Sequence, residues 1–223
     1  MHKIFCFIFA RGGSKRIPNK NLLKIKNKSL LEITLDFAKK IKKIDKIFVS
    51  SDSLKILNIA KKKDVQIIKR PKSLCTSTSD EFDSWKHAIN DLRKKKIMFD
   101  YFLSLPTTSP LRKKNDILKL IKKFSQSEYD LVLCATDTNR FPHYNMVVKK
   151  GKNIELIIKE SRGIKKKDIF DLTTIGYITK PKFVMKAKGI FDGKIGYIKI
   201  PKERAVDIDD FYDLKVARFL FNK

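Results

Sequence analysis

The stretch Lys3-Ile4-Phe5-Cys6-Phe7-Ile8-Phe9-Ala10-Arg11-Gly12-Gly13-Ser14-Lys15-Arg16-Ile17-Pro18-Asn19-Lys20-Asn21 joins an unbroken apolar run to a basic, glycine-bearing loop. A short run that is continuously apolar rather than alternating is the pattern of a strand buried on both faces. Such strands belong to sheets covered by helices on both sides, so the run points to an α/β fold. The loop gathers Arg11, Lys15, Arg16 and Lys20 around Gly12, Gly13 and Ser14. Exposed backbone N–H groups and cations at a strand end are what holding a polyphosphate requires, although an ordinary basic turn has the same composition. The loop matches neither GxxxxGK[ST] nor GxGxxG.

Strand and helix patterns alternate outward from this point. Ser29-Leu30-Leu31-Glu32 is a capping box, and the helix it opens carries Leu31, Leu35 and Ala38 on one face. Strands are expected at Lys46 to Ser50, Val65 to Ile68, Asp100 to Leu105 and Asp130 to Ala135. Helices are expected at Leu54 to Lys62, around Phe82, Trp85, Ala88, Ile89 and Leu92, and at Asp116 to Phe124. Trp85 reads as a core anchor rather than a stacking ring. The alternation implies a mostly parallel sheet flanked by helices. Residues 141–167 break the rhythm with two strand patterns around Lys150-Gly151-Lys152, which read as a β arm. Strands at Thr174 to Thr179 and Gly196 to Ile200 follow, then a closing helix with Phe211, Leu214, Ala217 and Phe221 inward.

With 223 residues, the chain suits one α/β domain across 1–223 with a real core, and 42% hydrophobic content argues against disorder. Cys6, Cys75 and Cys134 are odd in number and show no metal-ligand spacing, so buried thiols in a reducing, cytoplasmic compartment are expected. No stretch reaches the length of a membrane span, and the first apolar run is too short and too abruptly followed by Arg11 for a signal peptide. The net charge is +27, but only nine of the 51 cationic residues are Arg. That balance reads as a solvated face rather than a specific nucleic-acid surface, with weak polyanion binding as its by-product.

Three further groups sit at or beyond strand ends, where open α/β sheets bind ligands. In Val206-Asp207-Ile208-Asp209, extended backbone would turn Asp207 and Asp209 to the same side, suitable for a magnesium ion; Asp209 suits a helix cap equally well. Leu105-Pro106-Thr107-Thr108-Ser109-Pro110-Leu111-Arg112 offers hydroxyls and an Arg for a pocket wall, or a plain loop. Arg70-Pro71-Lys72-Ser73-Leu74 follows the third strand.

Taken together, Ala10 to Lys15 with Pro18, Lys20 and Asn21, then Arg70-Pro71 with Leu74, Thr108 to Arg112 and Asp207-Ile208-Asp209 resemble the acylneuraminate cytidylyltransferases. These are the CMP-sialic acid synthetases and their relatives for other nonulosonic acids, and the resemblance runs from Ile4 to about Leu220. It implies a Rossmann-like α/β domain whose β arm serves a homodimer. It also implies magnesium-dependent transfer from CTP to an acidic 2-keto sugar. Arg11, Lys15, Lys20 and Asn21 would hold the phosphates and ribose side, with Gly12, Gly13, Ser14, Thr108 and Ser109 also at the nucleotide. Arg70 would reach the cytosine, Asp207 and Asp209 would carry the magnesium, and Arg162, Thr173 and Tyr177 would face the sugar.

The chain departs from the family pattern at several positions. Pro106-Thr107 stands where Gln-Pro is usual, Cys75-Thr76-Ser77 replaces Ala-x-Asp, Glu81 falls at a small hydroxyl position, and Thr173 replaces an Asn. Arg16 resembles the pseudaminic acid branch. These departures keep open a different acidic sugar or nucleotide, or a noncatalytic homologue. A polyanion-binding protein is the rival from outside the enzymes.

Overall fold

A computed structural model describes residues 2–14, 16–76, 78–158 and 163–222. The elements begin with β1 (Ile4–Phe9), the short strands β2 (Lys24–Ile25) and β3 (Lys28–Ser29), and α1 (Leu30–Lys39). Next come β4 (Lys46–Ser51), α2 (Leu54–Lys62), β5 (Gln66–Lys69), α3 (Glu81–Lys94), β6 (Tyr101–Ser104) and α4 (Lys114–Ser125). The chain continues with β7 (Leu131–Asp137), β8 (Val147–Lys150), β9 (Asn153–Leu156) and β10 (Phe170–Thr179). It ends with α5 (Pro181–Lys186), β11 (Ile195–Lys199) and α6 (Phe211–Phe221).

One seven-stranded sheet has the order β11-β7-β10-β6-β1-β4-β5. β1 is parallel to both neighbours, β4 and β6, so the strand order reverses direction around it. That reversal opens a crevice at the carboxyl ends of the central strands. The long β10 is antiparallel to β6 and β7, the one departure from a parallel sheet among the described strands.

The alternation of side chains along β1 explains why its run is apolar throughout. Ile4, Cys6 and Ile8 pack with Leu31, Leu35 and Ala38 of α1, Ile56 of α2 and Leu120 of α4. Phe5 and Phe7 face the opposite way, toward Phe82, Trp85 and Ile89 of α3 and Val184 of α5. Trp85 is 2% exposed and lies 5.0 Å from the Phe102 ring, the core anchor its helix spacing predicts. Burial pushes the Cys6 thiol up to about 12 and raises Cys134 as well, so both behave as small apolar fillers. Cys75 is only half-buried, unlike the buried thiol expected, because it lies in the loop between β5 and α3.

The Ser29–Glu32 capping box forms as read: Glu32 N–H donates to Ser29 Oγ at 3.2 Å and Ser29 N–H donates to Glu32 Oε2 at 2.9 Å. At α6 the cap is Asp210 rather than Asp209, in a reciprocal box with Asp213 at 3.0 Å in both directions. Leu214 and Ala217 point inward and Phe221 packs against the same cluster, but Phe211 is 57% exposed, a correction to the expected stripe. It is the first residue of α6 and lies outside the cluster that Leu214 joins.

The irregular stretch contains β8 and β9 as a hairpin separate from the main sheet, with Val147 opposite Leu156 and Lys150 opposite Asn153. Gly151 turns the hairpin at φ 61°, the left-handed region where a Cβ is disfavoured. All of β8 is exposed.

Candidate active site

The carboxyl edge of the sheet holds a cavity of about 590 Å³. It brings together Arg11, Ser14, Arg16, Lys20, Asn21, Arg70, Thr108, Asp207 and Asp209, drawn from four separated segments. Lys15 and Arg162 lie outside the described residues.

Hydrogen bonds lock these segments to one another. Asn21 is 6% exposed, donates through Nδ2 to the Arg11 carbonyl at 2.9 Å and accepts from Thr107 Oγ1 at 2.5 Å. Thr107, part of the unusual Pro106-Thr107 pair, therefore ties the first loop to the third. Lys20 Nζ donates to the Ile208 carbonyl at 2.8 Å and to Asp209 Oδ1 at 3.0 Å. Ile208 N–H donates to the Thr108 carbonyl at 2.9 Å, which fixes the Asp207–Asp209 segment against the Thr108 turn. Arg11 Nη1 donates to the Thr76 carbonyl at 2.6 Å across the cleft rim.

Gly12 plays a different part from the one its sequence suggests. Its N–H donates to Asp52 Oδ1 at 2.8 Å, so that group is committed to protein. A Cβ on Gly12 would stand 3.0 Å from Ser53 Cβ, and this close approach to the start of α2 is what calls for glycine. Gly12 and Gly13 shape the turn, while Ser14, Arg16 and Lys20 reach the cavity. Asp52 was not singled out in sequence; its place just past the end of β4 was the available signal. Burial pushes the Asp52 carboxyl up, but the Gly12 N–H and its own backbone N–H outweigh this and hold it below the usual carboxylate range.

The two acids differ. Asp207 lines the cavity with its Oδ1 buried and without a hydrogen-bond partner. Beneath the site, buried Arg112 donates through Nη2 to the Pro106 carbonyl and, at 3.5 Å, to that of Thr174. Burial lowers its guanidinium to about 10, opposed by nearby acidic groups that include Asp207. Asp209 accepts from Lys20 and pairs with Arg16 Nη1 at 2.9 Å. Burial pushes Asp209 up, yet Lys20 and Arg16 outweigh it and keep the carboxyl below its ordinary value. The partnerless Asp207 oxygen and the Asp209 carboxylate line one cavity, a donor set that fits a magnesium ion, which typically takes one or two carboxylates plus water and phosphate oxygens. Ile208 between them is fully buried, as the alternation predicts.

Arg70 is 6% exposed and donates from Nη1 to Ser84 Oγ at 2.9 Å. Thr108 lines the cavity, whereas Ser109 is buried behind it, 2.6 Å from Thr174 Oγ1. Two expected sugar contacts fall elsewhere. Thr173 is 2% exposed and donates to the Cys134 carbonyl at 3.1 Å, and Tyr177 packs 5.7 Å from Trp85 in the core. A bulge in the β10–β7 register between Thr173 and Tyr177 separates the two, and Thr174 is the residue of this strand that lines the cavity. Glu81 and Ser84 of α3 also line it and were not assigned roles from sequence. His143 is buried against Phe141 in the loop before β8, and His87 lies along α3; neither lines the cavity.

A doubly covered, mostly parallel sheet with a cation-rich cleft at its switch point defines a nucleotide-handling α/β protein. Residues 5–179 match the cytidylyltransferase family, and the chain belongs to that family of nucleotidyltransferases. It is 30% identical to post-translational flagellin modification protein B of Campylobacter coli over 100% of this chain and 97% of that protein. It is 25% identical to pseudaminic acid cytidylyltransferase of Campylobacter jejuni, covering 98% of this chain and 96% of that one. With N-acylneuraminate cytidylyltransferase of Streptococcus agalactiae it shares 27% identity over 93% of its length but spans only 50% of that protein. In fold it resembles a CMP:2-keto-3-deoxy-manno-octonic acid synthetase complexed with CTP, with a TM-score of 0.73 at 14% identity and 99% and 98% coverage of the two chains.

Proposed function

We propose that this protein transfers CMP from CTP to an acidic 2-keto sugar of the nonulosonic class and releases pyrophosphate. The observation that carries the reading is the pair of bonds from Lys20 to Ile208 and Asp209, 188 and 189 residues away, which joins a phosphate-holding loop to a pair of carboxylates in one cleft. The names of the relatives, which include pseudaminic acid and N-acylneuraminate cytidylyltransferases, support the sugar class.

In this reading Arg11, Lys20 and Ser14 bind the triphosphate, Arg70 holds the base, and Asn21 keeps the first loop in position. Asp207 and Asp209 hold magnesium, which when bound neutralises phosphate charge and favours ionisation of the sugar's anomeric hydroxyl. The anomeric hydroxyl gives up its proton to solvent and its oxygen attacks the α-phosphorus in line, so that an O–P bond forms and the α–β phosphoanhydride bond breaks with the electrons leaving on pyrophosphate. The chain's own contribution is positioning and electrostatic stabilisation, because phosphoryl transfer needs little covalent help from protein. Arg16 belongs to this machinery through its pairing with Asp209. A homodimer through the hairpin is part of the proposal, supported by exposed Val147, Val148 and Ile154. The three free cysteines support a reducing, cytoplasmic setting.

The test is pyrophosphate release from CTP and magnesium with a panel of nonulosonic acids. Release with at least one acid is expected. Absence of release with every acid, under conditions in which a working relative turns over, would overturn the reading.

A further inference from the structure

The cleft wall near Arg70 carries an acid that the phosphate and metal assignments leave unused. Glu81 is the first residue of α3 and lines the cavity. Trp85, one turn on, donates its indole N–H to Glu81 Oε1 at 3.2 Å, so a ring locked in the core orients the carboxylate. Ser84 on the same helix takes one Nη1 donor of Arg70, while the buried Arg70 Nε–H has no partner. Phe9 and Leu74 complete this end of the cavity with apolar surface. The result is a held acceptor and a held donor beside apolar walls, the requirement of a flat heterocycle with a hydrogen-bonding edge.

A carboxylate in a cavity for a polyphosphate is repulsive unless the ligand brings it a donor. The 4-amino group of cytosine is such a donor, next to ring-nitrogen and carbonyl acceptors that suit a guanidinium. Uracil places a carbonyl oxygen there, acceptor against acceptor. We propose that Glu81 accepts a hydrogen bond from the 4-amino group of the nucleotide's cytosine and sets the choice of CTP over UTP. This rests on the reading of the cleft as a CTP site. Glu81 keeps water-accessible surface along the cleft while protein crowds its carboxyl. Burial raises its pKa, opposed by the Trp85 N–H and by Arg70, with Asp80 and Asp207 adding to the rise. Partial desolvation of this kind strengthens a hydrogen bond to the right donor and sharpens the penalty for the wrong one.

The experiment is calorimetric binding of CTP, UTP and 2′-deoxy-CTP, in magnesium and without acceptor sugar, to the wild type and to Glu81→Gln. The wild type is expected to prefer CTP over UTP by roughly ten- to a hundredfold. Glu81→Gln is expected to bring the two within a few-fold, because a carboxamide can present either a donor or an acceptor. A mutation-free arm replaces the 4-amino group of CTP by hydrogen, which should weaken binding to the wild type by about tenfold or more. An unchanged CTP-to-UTP ratio in folded Glu81→Gln, or equal binding of the 4-deamino analogue, overturns the role of Glu81. So does a selective loss of 2′-deoxy-CTP binding that disappears in the variant, since Glu81 would then be reading the ribose. A wild type that binds none of the nucleotides is a different result and overturns the CTP site itself.

Discussion

Arg70, Asn21 and Arg112 are polar and buried, whereas Val147, Ile154 and Ile157 are apolar and exposed. The first group lies around the cleft and the second lies on or beside the β8–β9 hairpin. Each region inverts the usual distribution of polarity, and the two inversions are stabilised differently. Around the cleft, Asn21, Arg70 and Arg112 each hydrogen-bond within the protein, while Asp207 lines the cavity with its Oδ1 unpartnered, an open valence for a ligand. On the hairpin the apolar side chains stand largely uncovered by the described residues, and Ile154 is 68% exposed. One region is preorganised for a small charged ligand, and the other presents surface suited to a second polypeptide.

The sharpest way to break this comparison is Asp209→Ala. It removes the carboxylate shared by Lys20 and Arg16 without touching the hairpin. Pyrophosphate release should fall on the order of 10²–10³-fold, the range for loss of one preorganised electrostatic group, with the circular dichroism spectrum unchanged. Retained full activity would remove Asp209 from the catalytic assignment.

The hairpin should respond in the opposite manner. Val147→Lys with Ile154→Lys leaves every cleft contact in place but sets charge on the exposed apolar face. Burying side chains of this size is worth about 1.5–3 kcal/mol each, so self-association measured by sedimentation should weaken by a factor of ten or more. A wild type that sediments as a monomer at micromolar concentration would remove the dimer from the proposal.

Ser29→Ala separates stability from both regions. The α1 cap is made by Ser29 and Glu32 alone, with no bond to a cleft acid or to the hairpin, and loss of such a cap costs about 1 kcal/mol. The melting temperature should drop by about 2–4 °C while activity measured well below it stays intact. Lost activity at low temperature would mean that α1 positions the first loop.

The fold was legible because its periodicities are strong. β1 is apolar at every position since both faces are covered, and α2 runs from Leu54 to Lys62 as its stripe and flanks indicate. The site was legible by a positional rule, since Arg70, Thr108 and the first loop all follow strand ends. What escaped the sequence depends on tertiary geometry. Gly12 looks like a phosphate cradle until Asp52, 40 residues on, takes its N–H. Thr173 and Tyr177, which the family resemblance places at the sugar, lie in the interior on either side of the β10 bulge, and Thr174 is at the cavity. Asp209 suits a helix cap in sequence, but the reciprocal bonds with Asp213 make Asp210 the cap. Glu81 stands out in sequence only as a departure from a small hydroxyl position, and its place in the cleft follows from the approach of α3 to Arg70 through Ser84.

The smallest effect concerns what the cleft costs the protein that lacks its ligand. Glu81 has a folded-state pKa raised above its ordinary value of 4.5, first by burial and then by Asp80 and Asp207, against the Trp85 N–H and Arg70. Folding therefore favours the protonated carboxyl. The stability this contributes is fully present below the unfolded pKa and is lost as pH rises through the folded one. Glu81→Gln cannot ionise, and its amide oxygen can still accept from Trp85. The ligand-free variant should thus melt above the wild type at neutral pH, with the gap closing as pH falls toward the unfolded value of about 4.5 and absent below it. Asp209 behaves with the opposite sign: its lowered pKa contributes stability above the unfolded value and loses it as pH falls through the folded one. A gap between Glu81→Gln and wild type that stays constant with pH would mean that the Glu81 carboxyl is as well solvated in the cleft as in the unfolded chain. In that case the cleft would not be strained at this residue, and the contrast with the hairpin would rest on Asp207 and the buried Arg70, Asn21 and Arg112.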